Sequence, residues 1–116
     1  MMTTEVKKSR SYILSEIIDY VPNSMVRKTI VSKPTGIISV LAMDTDETLA
    51  EKISPFDTFI YIIEGIAEVV IDSKSNRLQT GQGIIVPAHA SNAIKANGRF
   101  KMISVVIKSG YNEALI

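Results

Sequence analysis

From residue 21 onward turn signals recur at short intervals along this chain, and their even spacing is its strongest constraint. They fall at Val21-Pro22-Asn23-Ser24, Lys33-Pro34-Thr35-Gly36, residues 44–48, Ser54-Pro55, Glu64-Gly65, residues 72–76, Gly81-Gln82-Gly83, Asn97-Gly98 and Ser109-Gly110. Glycine supplies positive φ, proline presets φ, and Asn, Asp and Ser bond back to their own backbone, so such clusters mark reversals of the chain. The runs between them are rich in Ile, Val, Phe and Tyr, side chains that fit a pleated, half-buried surface. Short strands at even spacing predict an all-β sandwich or barrel, with strands over residues 26–31, 37–43, 58–63, 67–71, 77–79, 83–86, 93–96 and 101–107. Glu64-Gly65 reads as a tight turn between two antiparallel strands, residues 73–76 as the next turn, and Asn97-Gly98 as a two-residue hairpin. Only residues 12–19 carry a helical spacing, with apolar side chains at Ile13, Leu14, Ile17 and Ile18. A segment that short needs a surface to pack on. No repeat or linker divides the chain, so residues 1–116 are read as one domain with an N-terminal extension over 1–24.

The chain has 116 residues, 46% apolar and 22% charged, enough to close one core without staples. A formal net charge of +1 creates no field that would select nucleic acid or an anionic membrane, so neither is expected as a partner. The one basic cluster, Lys7-Lys8-Arg10, lies in a polar N-terminal segment and reads as a solvated tail. There is no cysteine, which removes disulfides, thiol nucleophiles and thiolate metal sites and fits a reducing compartment. The N-terminus lacks a signal-peptide core, and no apolar run nears the ~20 residues needed to span a bilayer. A cytoplasmic protein is expected.

Two segments, residues 54–65 (SPFDTFIYIIEG) and 81–94 (GQGIIVPAHASNAI), resemble the two motifs of small single-domain bacterial cupins. The family's first motif is a glycine, five residues, His-x-His, three or four residues, Glu, six residues and a glycine. Anchored on Gly65, the Glu position falls at Thr58, the histidine positions at Ser54 and Lys52, and the opening glycine near Asp46. Pro55 and the run from Tyr61 to Gly65 match. In the second motif Gly81 and Pro87 match, while His89 stands at a glycine position, Asn92 at the ligand histidine and Ala96 at the closing asparagine. The resemblance covers residues 37–107 and implies a jelly-roll β-sandwich barrel. Its usual metal site is not implied, because Lys52, Ser54, Thr58 and Asn92 replace the ligands. A transition metal wants three or four converging His, Cys, Asp or Glu side chains, and Lys52 adds a cation. His89 is the only histidine, and its odd offset from position 92 turns it away. Neither a metal nor another cofactor is expected.

In the family the ligand positions alternate along one strand and point into the barrel. Carried over, that alternation turns Thr58, Ile60 and Ile62 inward and Phe59, Tyr61 and Ile63 outward. Outward aromatics need a cover from the N-terminal strand or a second subunit, so a homodimer is expected. The expected pocket has walls of Met43, Ile60, Ile62 and Met102, polar points at Lys52, Thr58 and Asn92, and His89 near its rim. A blander assignment stands beside each. Lys52 can lie along the surface with its head in water, the methionines can be core filler, and His89 can be an ordinary exposed histidine. No Gly-x-Ser-x-Gly, His-Glu-x-x-His or P-loop pattern occurs.

Three functional readings follow. In the first, the barrel binds a small organic molecule without metal, an anion being the form that Lys52 would favour. In the second, the chain is a small isomerase or lyase using Lys52 and His89 in place of metal, which requires both to converge on one cavity. In the third, the pocket is vestigial and filled by apolar side chains, and the protein is an accessory or sensor working through its dimer face.

Overall fold

Eight strands and one 3-10 turn make up the described part of the chain, residues 5–108, in the computed structural model. The turn is Leu14–Glu16, and the strands are β1 (Met25–Lys33), β2 (Gly36–Met43), β3 (Thr48–Ile53), β4 (Asp57–Ile71), β5 (Lys74–Gln79), β6 (Gly83–Val86), β7 (Ser91–Lys95) and β8 (Phe100–Ile107). All pairings are antiparallel. Two sheets share β4. Its first half lies between β8 and β6 in a sheet ordered β1-β2-β8-β4-β6, and its second half between β7 and β5 in a sheet ordered β3-β7-β4-β5. The sheets curl into the expected all-β jelly-roll barrel. The expected turn at Ser109-Gly110 lies outside the described residues.

Three local expectations are corrected. Glu64-Gly65 is not a turn, because β4 runs unbroken for 15 residues through it. Its ladder with β8 shifts register between Ile62 and Glu64, and Gly65 takes φ +91°, so the strand bends there and crosses between sheets. A Cβ at Gly65 would stand 2.3 Å from the Arg99 carbonyl oxygen, so only glycine fits. Asn97-Gly98 is not a hairpin, since β7 pairs with β3 and β4 whereas β8 pairs with β2 and β4. It carries the chain from one sheet to the other. Finally, the expected strands omit residues 48–53, where β3 lies. Its sequence, TLAEKI, is mostly exposed and sits at a sheet edge, where charged residues discourage pairing with other chains. A two-residue hairpin does occur at Asp72-Ser73, one step before the expected turn, with φ of +47° and +69° as a type I′ turn requires.

The alternating inward side chains form one core inside the barrel, with Leu41, Met43, Ile62, Val69 and Phe100 almost wholly buried. A second cluster lies on the outer face of the first sheet, where Ile17, Ile18 and Tyr20 cover Val40, Ala42 and Ile63. The predicted helix is reduced to the 3-10 turn, and the packing surface that it needed is this sheet. Polar contacts pin the segment down. The Tyr20 hydroxyl donates to Glu64 Oε2 at 2.7 Å, and its ring lies 5.0 Å from the Arg99 guanidinium and 4.9 Å from Lys101 Nζ. Lys101 is buried and donates to the Ser15 carbonyl. Burial, then the Glu64 carboxylate, pushes the Tyr20 phenol above its usual range. Asp44 accepts from Arg99 Nε and from the Asn23 amide, both at 2.7 Å, and these bonds, the Arg99 one foremost, hold its carboxyl down at about 2. Among the described residues no helix is long and apolar enough to cross a membrane.

The Gly65→Ala substitution should destabilise the fold by roughly 2–4 kcal/mol, since it combines a forbidden φ with a backbone clash. Urea unfolding checks this. A loss below about 0.5 kcal/mol would separate the bend from the glycine.

Candidate functional site

Two edge strands each contain an irregularity, and each re-aims a cation. In β3 the ladder with β7 pairs Leu49 with Ile94 and then Lys52 with Asn92, so one residue of β3 is extra. A regular ladder would set Glu51 opposite Asn92. The bulge puts Lys52 there instead, facing the barrel interior, and Glu51 turns out to bond the Ser91 hydroxyl. In β1 the ladder with β2 pairs Val31 with Ile38 and then Thr29 with Ser39. A regular count would set Lys28 opposite Leu41. The bulge sets Arg27 there, on the face shared with Leu41, Met102 and Ile62.

The two cations meet at a cavity of about 80 Å³ between the sheets. Its floor and walls are apolar, with Leu49, Ile60, Ile94, Met102 and Val106, and its polar points are Arg27, Lys52, Ser54, Thr58, Asn92 and Ser104. No carboxylate lines it, and among the described residues neither Arg27 nor Lys52 is in an ion pair. Both are exposed as whole residues, so the cations sit at the opening rather than in the core. Even so, burial of its ammonium and then the nearby Arg27 charge hold Lys52 below the usual lysine range. Asn92 is buried, and its Nδ2 contacts the Lys52 carbonyl at 3.5 Å. The Ser54 hydroxyl accepts from the Phe56 amide at 3.1 Å, which fixes the corner between β3 and β4.

Of the residues singled out from sequence, Lys52, Thr58, Ile60, Asn92 and Met102 line this cavity together. Met43 and Ile62 lie wholly buried in the core, and the cavity does not reach them. His89 is exposed and is not among the lining residues, so Lys52 and His89 do not converge. Its backbone does border the site, because its amide donates to the Ser54 carbonyl at 2.7 Å. Ser54, which the resemblance sets at a ligand position but which is not counted among the expected pocket's polar points, lines the cavity too, whereas Arg27 and Ser104 were missed. Ser104 stands opposite Ile60 in the β4–β8 ladder and could have been found by alternation from Met102. Arg27 could not, because its facing depends on the β1 bulge.

His89 and Asp46 both take φ of +71°, and both stand where the resemblance expects glycine. The positive φ explains those glycine positions, and here residues with a side chain bear the strain. The family's metal does not fit the donors present. An ammonium, two hydroxyls and an amide cannot replace imidazoles and a carboxylate. Nor is there a group of three or more His, Cys, Asp or Glu able to hold a metal among the described residues. A larger groove, about 390 Å³, lies beyond Gly65 and is lined by Ile66, Glu68, Ser75, Arg77 and Asn97. Its Glu68 accepts from the Ser75 hydroxyl at 2.7 Å and from Asn97 Nδ2 at 3.2 Å, bonds that lower its pKa. With Glu68, Ser75 and Asn97 already bonded to one another, it is the weaker candidate despite its size.

No protein-family model matches the sequence. Protein SchB of Streptomyces halstedii is 25% identical over 76 residues, and the matched stretch covers 65% of this chain and 55% of that protein, so the chain spans about half the length of that curated relative. A conserved protein of unknown function from Streptococcus pyogenes superposes with a TM-score of 0.87 at 27% identity, covering 95% of this chain and 97% of that one. A cupin superfamily protein from Desulfitobacterium hafniense superposes with a TM-score of 0.84 at 24% identity, covering 92% and 98%.

Replacing His89 with glycine should relieve the strained φ and leave stability unchanged or higher by up to about 1 kcal/mol. A clear loss in a denaturant titration would mean that the imidazole makes a stabilising contact.

Proposed function

Because this chain is a small cupin-fold protein and a fold alone does not give a function, we propose from its site that it binds a small organic anion in the barrel without metal. One observation carries the reading: two bulges bring Arg27 and Lys52 to the same cavity, and no carboxylate there answers them. Two like charges held together in a partly dry site favour an anion between them. The cavity's 80 Å³ compares with ~10–15 Å³ for one water, so it has room for roughly half a dozen heavy atoms. The anion is therefore small, with its charged end at the two cations and a short apolar part against Ile60, Ile94 and Met102. The absence of cysteine suits a cytoplasmic setting.

Binding of a short carboxylate such as propanoate, followed by ligand-observed NMR on protein free of metal, tests the reading. Lys52→Met should lose about 1.5 kcal/mol of affinity, the low end for a charge-assisted bond because Lys52 is partly exposed. Affinity should fall as pH rises through the Lys52 pKa, and the fall should begin below the usual lysine value of about 10.4. Equal binding by wild type and by the double variant lacking both cations would sink it. The accessory reading is favoured instead by how far Met43, Ile62 and Phe100 already fill the barrel.

The same reading includes a homodimer through the outer face of the first sheet. Ile38, Val105, Phe59 and Ile85 stand in register as one apolar row across four strands. Phe59 is 40% and Ile85 63% exposed, and Tyr61 stacks beside Phe59 at 6.5 Å. The N-terminal segment covers the neighbouring Val40 and Ala42 but not this row. Sedimentation equilibrium should give a dimer that Tyr61→Asp weakens, and a wild-type monomer at high micromolar concentration would refute it.

A further inference from the structure

We propose that Lys52 is an amine nucleophile that captures a small 2-oxo acid as a reversible imine, with Arg27 holding the acid's carboxylate. The inference deepens the anion-binding reading and rests on it. The two cations differ in kind. A guanidinium stays charged at any working pH and matches a carboxylate with two parallel donors. An amine can lose its proton when it is desolvated and placed beside another cation, and it then becomes a nucleophile toward carbonyl carbon. Lys52 meets both conditions in part, as a lysine at the cavity opening that is partly desolvated and shares the cavity with Arg27. Its side chain lines the cavity shared with Arg27, and among the described residues no carboxylate pairs with it to keep it protonated. Burial and the Arg27 charge already lower its proton affinity. Lys101, the buried lysine, is unlike it in every respect. It sits on the outer face with its Nζ committed to the Ser15 carbonyl and the Tyr20 ring.

The ligand must therefore carry a carboxylate and a carbonyl side by side within roughly six heavy atoms, the space the cavity offers. A short 2-oxo acid meets that description. The neutral Nζ adds to the carbonyl carbon, a C–N bond forms, and the π pair moves to oxygen. The carbinolamine then loses that oxygen as water, taking both amine hydrogens, and C=N remains. No electron is gained or lost and no co-reactant is needed. The hydroxyls of Thr58 and Ser104 line the same cavity and can relay the protons.

The test treats the full chain with pyruvate and sodium cyanoborohydride and maps the reduced adduct by peptide mass analysis. One adduct per chain at Lys52 is expected, forming roughly tenfold or more faster than at any other lysine. It should be absent in Lys52→Arg. Acetone, which keeps the carbonyl but lacks the carboxylate, should label Lys52 far more slowly, and Arg27→Ala should abolish that preference, with the acetone rate falling less than the pyruvate rate because the Arg27 charge also lowers the proton affinity of Lys52. The acetone comparison on wild type reads the role of the carboxylate even if a variant fails to fold. Adducts spread evenly over the exposed lysines, or none at Lys52, would overturn the inference. If propanoate still binds in that case, the anion-binding reading stands and only the imine falls. If propanoate does not bind either, both fall.

Discussion

The structure depends on a single strand belonging to two sheets. β4 can do this only because the backbone at Gly65 adopts φ +91° while lying against Arg99 and Phe100. Residues before the bend set the register of β8 and β6, and residues after it set that of β7 and β5. A shift there would propagate into both sheets, since a one-residue slip turns every side chain to the other face. The alternation along β4 also supplies both the closed core, through Ile62, Ala67 and Val69, and the cavity wall, through Thr58 and Ile60. Core and cavity wall thus draw on the same strand, the inward alternation changing parity across the irregularity between Ile62 and Ala67.

The outer face of the first sheet shows the other half of the design. An apolar outer face is a liability in water. The N-terminal segment covers part of it, held by Tyr20 between two cations and by Asp44 bridging Asn23 and Arg99. These polar clasps act where the apolar contact of a three-residue 3-10 turn would be weak. The uncovered remainder is the row through Phe59 and Ile85. Cover over one half leaves this row exposed among the described residues.

At the site, the charge is the opposite of what a metal would need. The positions that the family resemblance assigns to ligands carry an ammonium, hydroxyls and an amide, and a guanidinium has been added from β1. His89 and Asp46 take a left-handed backbone at positions where the resemblance expects glycine.

The sequence by itself determined the fold class, most of the strands and the inward side of β4, because a period of two and clustered turn residues are local properties. It also determined that the family's metal ligands were missing. Only the tertiary structure decided three other things. Gly65 could serve a turn or a bend, since both need positive φ, and the choice lay with the partners on either side of β4. Asn97-Gly98 could close a hairpin or bridge two sheets, and the pairing of β7 and β8 with other strands settled it. Lys52 and Arg27 could face in or out. Alternation fixes facing only while the ladder is regular, and each bulge reverses it. A bulge is set by how a strand fits its neighbour, which no single strand encodes, so the pair of cations that defines this site became visible only once the sheets were assembled.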